Sequence, residues 1–414
     1  MRMKKENYIP FSKEILLEKQ LEHSYTNESD ATNFKRLFHI LEHYFHYEGF
    51  GLNQELKLNY AHFDPDRLPE ERALYANKSS LKTFHTIFKK VLERGNFEKI
   101  EDEVLHKAIN ASDLVGLNLH IDFDNYDDYY LYARGLTKTK EQVKKWFFWK
   151  KEVEIEYYDR VVIYLHYKDV NYFKGKKLAT DKQHFDPNSI VLKIFKRVPK
   201  NDLETIFPNA EPKMSLTDKL LLWIPAIGGG VPILSTKVIP ALLKIGDAYK
   251  AGHLSHLQGL KTTLIQSGVA LGILGLYLFR QYKGYINKKN NFKKMLTDSL
   301  YFKNLGNNGG VFHSLIDASE EEEMKESMLA YSFLLQNNQP TSADVLDQQI
   351  ETWFAQEFKC HLDFDVKDAL AKLQHIGLAQ ENNNHWTVLP MEKALERVDE
   401  IWDGIFEYNS NTML

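Results

Sequence analysis

The residues most able to do chemistry are His39-x-x-Glu42-His43. Two imidazoles one helical turn apart, with a carboxylate beside the second, have the spacing that inverted zinc peptidases use for two metal ligands and a general base. One reading of the chain is therefore a zinc-dependent hydrolase acting through His39, Glu42 and His43. No second motif supplies a third ligand, and aromatic residues and His46 crowd the same helix, so we read these histidines as surface or interface residues. Asp122-Phe-Asp124 follows an apolar alternation, as phosphotransferase nucleophiles do, but Asn125-Tyr126 and turn residues come next; it reads as a solvated turn. As a calcium loop it lacks the sixth-position glycine and the distal glutamate. Cys360 is the single cysteine, which excludes an internal disulfide and any CxxC site, and its acidic surroundings do not favour a thiolate. No P-loop, dinucleotide-binding glycine pattern or GxSxG elbow occurs, and Gly306 to Gly310 reads as a flexible joint. We assign no catalytic, cofactor-binding or metal-ligating residue and no cofactor. The balance favours a non-enzymatic scaffold or regulatory adaptor.

The elements that must carry these residues come from a chain of 414 residues with 43% hydrophobic and 27% charged residues, which excludes disorder. Its 53 basic and 57 acidic residues give a net charge of −4, so no global field attracts nucleic acid. Two uncharged runs, Leu220–Thr236 and Thr262–Phe279, interrupt a polar chain of mean hydropathy −0.44. The second would be about 27 Å long as a helix, close to the hydrocarbon thickness of a bilayer. The first contains Pro225, Pro232 and Gly228 to Gly230, so it would span with a kink or turn back. The expectation is a transmembrane hairpin. Nine basic residues flank it in 200–219 and 280–299 against four in 237–261, which would place both large ends in the cytoplasm. Gly268 and Gly272 form a GxxxG pattern through which a second copy could associate. An alternative is an oligomeric lipid or ion pathway, with Gln266 and the glycine triplet lining a polar route. The first residues are basic with no apolar core behind them, unlike a secretory signal or an Arg- and Ser-rich presequence; a bacterial inner membrane is expected before a mitochondrial one.

Five regions follow: helical 1–115, β-rich antiparallel 116–215, the hairpin 216–282, a basic then Gly/Asn-rich linker 283–317, and an acidic unit 318–414. In the first, Leu37, Ile40, Leu41, Tyr44 and Phe45 stripe a helix over Phe34–Glu48 that Gly49 should stop, and a second helix runs over Leu81–Arg94. Strands are predicted over Arg160–Lys168 and Ser189–Val198. At 143–151, Lys144, Lys145, Lys150 and Lys151 interleave with Trp146, Phe147, Phe148 and Trp149, a mixture suited equally to an anionic lipid surface and to a strand pair over a core. The last region holds three apolar helical stripes, with Asp365 as a cap and Gly377 as a stop, then a short ribbon and a final helix: a winged-helix-like order. It carries 19 acidic and six basic residues, a net of −13, which argues against DNA and for a protein partner.

Residues 160–331 resemble a known family. Arg160-Val-Val-Ile-Tyr-Leu, Leu192-Lys-Ile-Phe-Lys-Arg197, Phe207-Pro-Asn, Tyr301-Phe-Lys-Asn, Lys325-Glu326 and Leu329-Ala-Tyr331 are similar to the transmembrane protein 143 family, which carries a domain of unknown function. The resemblance implies a two-pass membrane protein and supplies no catalytic residue. The fold class expected is α+β: N-terminal helices with an antiparallel sheet, a two-helix transmembrane hairpin and a winged-helix-like end.

Overall fold

The structure is a computed structural model that describes residues 7–24, 27–110, 118–146, 149–175, 186–208, 210–213, 220, 223–224, 227–228, 231–250 and 258–405. Helices α1 (Lys13–Ser24), α2 (Glu28–Tyr60), α3 (Pro69–Leu74) and α4 (Leu81–Arg94) come first. Strand β1 (Glu98–Lys99), α5 (Asp102–Asn110), β2 (Asn118–His120), β3 (Tyr126–Trp146), β4 (Trp149–Tyr167), α6 (Val170–Gly175), β5 (Ile190–Pro199) and β6 (Glu211–Lys213) follow. The chain continues through α7 (Ile239–Lys250), α8 (Gln258–Lys303), β7 (Asn304–Asn307), α9 (Gly309–Asn337), α10 (Ala343–Glu357), α11 (Val366–Ile376), the ribbon β8 (Ala379–Asn382) and β9 (His385–Val388), and α12 (Met391–Gly404). These elements form two compact units, one of residues 1–104, 123–200 and 303–414 and another of 105–122 and 201–302.

The first unit is built on a five-stranded antiparallel sheet in the order β1-β3-β4-β5-β7. Gly135 interrupts β3 at φ +68°, where a Cβ would lie 2.7 Å from Tyr8 Cε1, so a side chain there meets both strain and a ring. Asn308 joins sheet to helix: its N–H donates to Leu192 O at 2.7 Å, and its Oδ1 accepts from Leu192 N–H at 3.2 Å. Capping side chains start the helices. Asn27 Oδ1 accepts from Ser29 N–H at 3.0 Å, Ser80 Oγ from Thr83 N–H at 3.2 Å, and Asp365 Oδ1 from Asp368 N–H at 3.1 Å. Gly377, at φ +82°, closes α11.

Two apolar cores result. In one, α4 places Phe84, Ile87, Phe88, Val91 and Leu92 at helical spacing against Val162 and Tyr164 of β4, Leu192 and Ile194 of β5, and Phe312 and Leu315 of α9. In the other, Phe34, Leu37, Phe38, Leu41 and Phe45 of α2 meet Met324, Met328 and Tyr331 of α9, Ile350 and Phe354 of α10, Leu370 and Leu373 of α11, and Val398 of α12. Helices α2 and α9 run through both cores, because Leu56 and Tyr60 of α2 and Val311 and Phe312 of α9 belong to the first. In the second unit, β2 pairs antiparallel with β6, and α7 and α8 supply most of the described backbone.

Several expectations are corrected. Among the described residues no helix is long and apolar enough to cross a membrane, so the transmembrane hairpin, the multi-pass placement in an inner membrane and the hairpin-built lipid or ion pathway are withdrawn. Of the first apolar run the described residues include a helical turn at Val231–Ile233 and a π-helical stretch at Leu234–Val238, which continue into α7 with its charged Lys244, Asp247 and Lys250. The second run lies in α8, a 46-residue helix whose continuation carries Arg280, Lys283, Lys288, Lys289, Lys293 and Lys294. What remains of the expected class is an α+β fold with a five-stranded antiparallel sheet. Gly49 does not stop α2, which continues to Tyr60. Asn304–Asn307 is edge strand β7 paired with β5, not a flexible joint.

Candidate functional site

Helix α9 carries the acidic run Glu320-Glu-Glu-Glu323 followed by Met324-Lys325-Glu326. At 100° per residue this run points in every direction, so it divides. Asp317, Glu320, Glu321 and Met324 line an outer trough, whereas Glu322, Glu323, Lys325 and Glu326 are all at most 3% exposed.

The trough has a volume of about 650 Å³ and is lined by α9, by the histidine face of α2, and by Lys13 and Glu14 of α1. It collects His39, Glu42, His43 and His46, and so brings together the residues that the motif singled out. His39 and His43 face each other with Nε2 atoms 3.2 Å apart. His39 Nδ1 is 3.6 Å from Glu42 Oε2, and His46 Nδ1 is 3.0 Å from Glu320 Oε2. Lys13 Nζ donates to Glu42 Oε1; that hydrogen bond holds the Glu42 carboxyl below its usual range, so Glu42 is an ionised partner of lysine. No group of three His, Cys, Asp or Glu side chains among the described residues could hold a metal ion.

The inner set is a buried ionic network. Glu322 Oε2 accepts from Ile9 N–H at 3.0 Å, and Lys325 Nζ donates to Ile9 O at 3.0 Å and to Glu322 Oε1 at 3.1 Å. Glu323 pairs with Arg94 at 3.0 Å, and Glu326 with Lys372 of α11 at 2.8 Å and Asn96 at 3.0 Å. Arg134 reaches Glu322 at 4.0 Å while lying over the rings of Tyr8 and Phe97. Burial raises Glu326 to about 7 and raises Glu323 as well. Burial opposes the charge of Lys372, but Glu326 and Glu323 outweigh it and hold the ammonium above its ordinary range. The chemistry is that of a latch: one polar layer of α9 ties the irregular segment before α1, the end of α4, the sheet and α11 together.

Read as a charged run, this segment suggests a solvated face; the sequence signal that the helix is covered lies in Met324 and Met328, both buried at 2% exposure. The other sequence candidates stay apart. Asp124 is exposed within the short 3-10 turn Phe123–Asn125, and Cys360 is half-exposed. Gly268 and Gly272 lie on α8 with open space where a Cβ would be. The basic and aromatic residues at 143–151 fall where β3 meets β4, paired in backbone register from Val143↔Lys151 to Trp146↔Trp149; their side chains, and Phe147 and Phe148 altogether, lie outside the described residues.

Comparison with known families decides one point. The family described as Protein of unknown function (DUF3754) matches residues 158–310. Over those residues the chain is similar to DUF3754 proteins. The DUF3754 match runs from Tyr158 in β4 to Gly310 at the start of α9, and so leaves the histidine trough and the buried network outside it. It agrees with the expected domain of unknown function, and nothing in it points to the transmembrane protein 143 family. No solved structure matches the chain.

Proposed function

We propose that the chain is a non-enzymatic adaptor that recruits a basic protein partner through the acidic exterior of α10 to α12. The observation that carries this reading is the direction of Lys372. On α11, where a nucleic-acid-binding helix would offer its cations, this lysine is turned inward onto Glu323 and Glu326 and is 10% exposed as a side chain. Residues 343–404 hold 13 acidic residues against five basic ones, and Lys372 is one of the five. The resulting surface repels phosphates and draws cationic segments, with an attraction that weakens as salt screens it.

The test uses the full chain and a fluorescent Lys/Arg-rich peptide. Binding that weakens between 50 and 300 mM salt, and falls at least about tenfold when Glu392, Glu396, Asp399 and Glu400 of α12 are changed to Gln, supports the reading. Absence of binding, or equal binding by the changed chain, overturns it. The hydrolase alternative has less support, because Glu42, its general base, is held by Lys13.

A further inference from the structure

The histidine trough has features that adaptor work does not require. Three imidazoles at positions 39, 43 and 46 occupy one face of α2, and three carboxylates at 317, 320 and 321 face them from α9. Glu14 and Glu42 add two more acidic groups, and Lys13 is the one lysine or arginine among the lining residues. Such a surface favours a cation over an anion.

The geometry of one pair narrows the class. The rings of His39 and His43 are 4.4 Å apart between centroids and inclined at 74°, and their Nε2 atoms lie 3.2 Å apart, within hydrogen-bond reach of each other. Two imidazole nitrogens each about 2.0–2.1 Å from one ion, and 3.2 Å from each other, subtend an angle of about 100° at that ion, close to the tetrahedral value. A chelate edge of this size is what zinc and its neighbours in the divalent series take from histidines one helical turn apart. The second nitrogen of His39 faces Glu42 Oε2, 3.6 Å away, and Lys13 fixes that carboxylate. A carboxylate behind a ligating histidine sets the tautomer in which Nδ1 carries the proton and Nε2 offers its lone pair. An imidazole nitrogen ligates only through a free lone pair, so a metal ion competes with protons at the pair.

We infer that His39 and His43 form a two-histidine chelate for a divalent transition-metal ion, with Glu42 as the positioning residue behind His39. No third side chain converges on the pair, so water completes the shell and the site is an exchangeable one of modest affinity. His46, engaged by Glu320, stands outside the chelate. The groups facing the pair are Lys13 and Glu14 of α1, Glu42 and His46 of α2, Asp317, Glu320 and Glu321 of α9, and the Trp402 ring of α12, 6.1 Å from that of His43.

The test is calorimetric titration of chelator-treated full-length protein with zinc chloride at pH 7.5 and pH 5.5, with circular dichroism of every variant as a control for folding. One ion bound per chain with micromolar affinity, at least tenfold weaker at pH 5.5, supports the assignment. So does a loss of tenfold or more in His39→Ala and in His43→Ala, with His46→Ala unchanged. Glu42→Gln should lose about tenfold while the stoichiometry stays at one, as expected of a carboxylate behind a ligand. Zinc binding that survives the double change His39→Ala/His43→Ala, or that His46→Ala abolishes equally, overturns it, as does no binding below millimolar zinc. Cationic-peptide binding should be unaffected by these changes, which separates this inference from the adaptor reading.

Discussion

A carboxyl group buried to 2% exposure with an ammonium 2.8 Å away is pulled in two directions, and at Glu326 the balance can be stated. Desolvation disfavours its charge, Lys372 favours it, and burial wins, leaving the group at about 7 instead of 4.5. The sign for stability follows from linkage. The unfolded chain releases this proton first as pH rises, so the contribution of Glu326 falls between about pH 4.5 and 7 and stays low above that. At 1.36 kcal/mol for each pH unit, the span is roughly 3 kcal/mol. Glu326→Gln keeps the shape and removes the titration, and Lys372 retains Glu323 and Asp368. Urea unfolding at pH 5 and pH 8 should therefore show wild-type protein losing more stability than the variant, by a difference of up to about 3 kcal/mol. Parallel losses in the two proteins would show that Glu326 stays ionised throughout.

The packing of α2 on α9 depends on a residue with no side chain. A Cβ on Gly49 would sit 2.1 Å from Glu320 Oε1 and 2.9 Å from Ile316 Cγ2. Alanine is the better helix former by about 1 kcal/mol, so propensity alone makes Gly49→Ala stabilising. The carboxylate can swing away at the expense of His46, but Ile316 is buried and cannot move without shifting the core. Overpacking of this kind costs about 1–3 kcal/mol, so a net loss is expected, read as a lower urea midpoint at unchanged m-value. A variant as stable as the wild type would show that the helices do not need this approach. The same glycine marks what the sequence could and could not convey. Local signals are legible: Asp365 starts α11, Gly377 ends it, and Arg160–Lys168 and Ser189–Val198 fall on β4 and β5. Gly49 is ambiguous in sequence because glycine both ends helices and admits close neighbours, and the neighbours that decide the matter are Ile316 and Glu320. Gly306 failed for a related reason: its role as edge strand is set by pairing with Ile194, more than a hundred positions earlier. The trough was half legible, since the spacing of His39 and His43 was visible and the carboxylates opposite them were not.

At the scale of the molecule, the two helices that carry the site also make the first unit one cooperative body. Five side chains of α2, namely Phe34, Leu37, Phe38, Leu41 and Phe45, are buried against α9 to α12 and their neighbours at no more than 7% exposure. At about 1.5–3 kcal/mol for each large apolar side chain buried, they contribute on the order of 10 kcal/mol, as much as the whole stability of a typical domain. Glu326 and Lys372 point the same way, for their network also holds Asn96, and Glu323 beside it holds Arg94. A chain comprising residues 318–414 alone keeps the helical stripes but loses both the α2 face and the partners of its buried carboxylates. It should be helical by far-ultraviolet circular dichroism, bind a hydrophobic dye, and melt without a sharp transition, whereas the full chain melts cooperatively. A sharp, two-state melt of the fragment would place the source of its stability within α9 to α12 themselves. The adaptor surface and the metal pair would then rest on separable bodies, whereas the shared core predicts that loss of the α2 packing disables both.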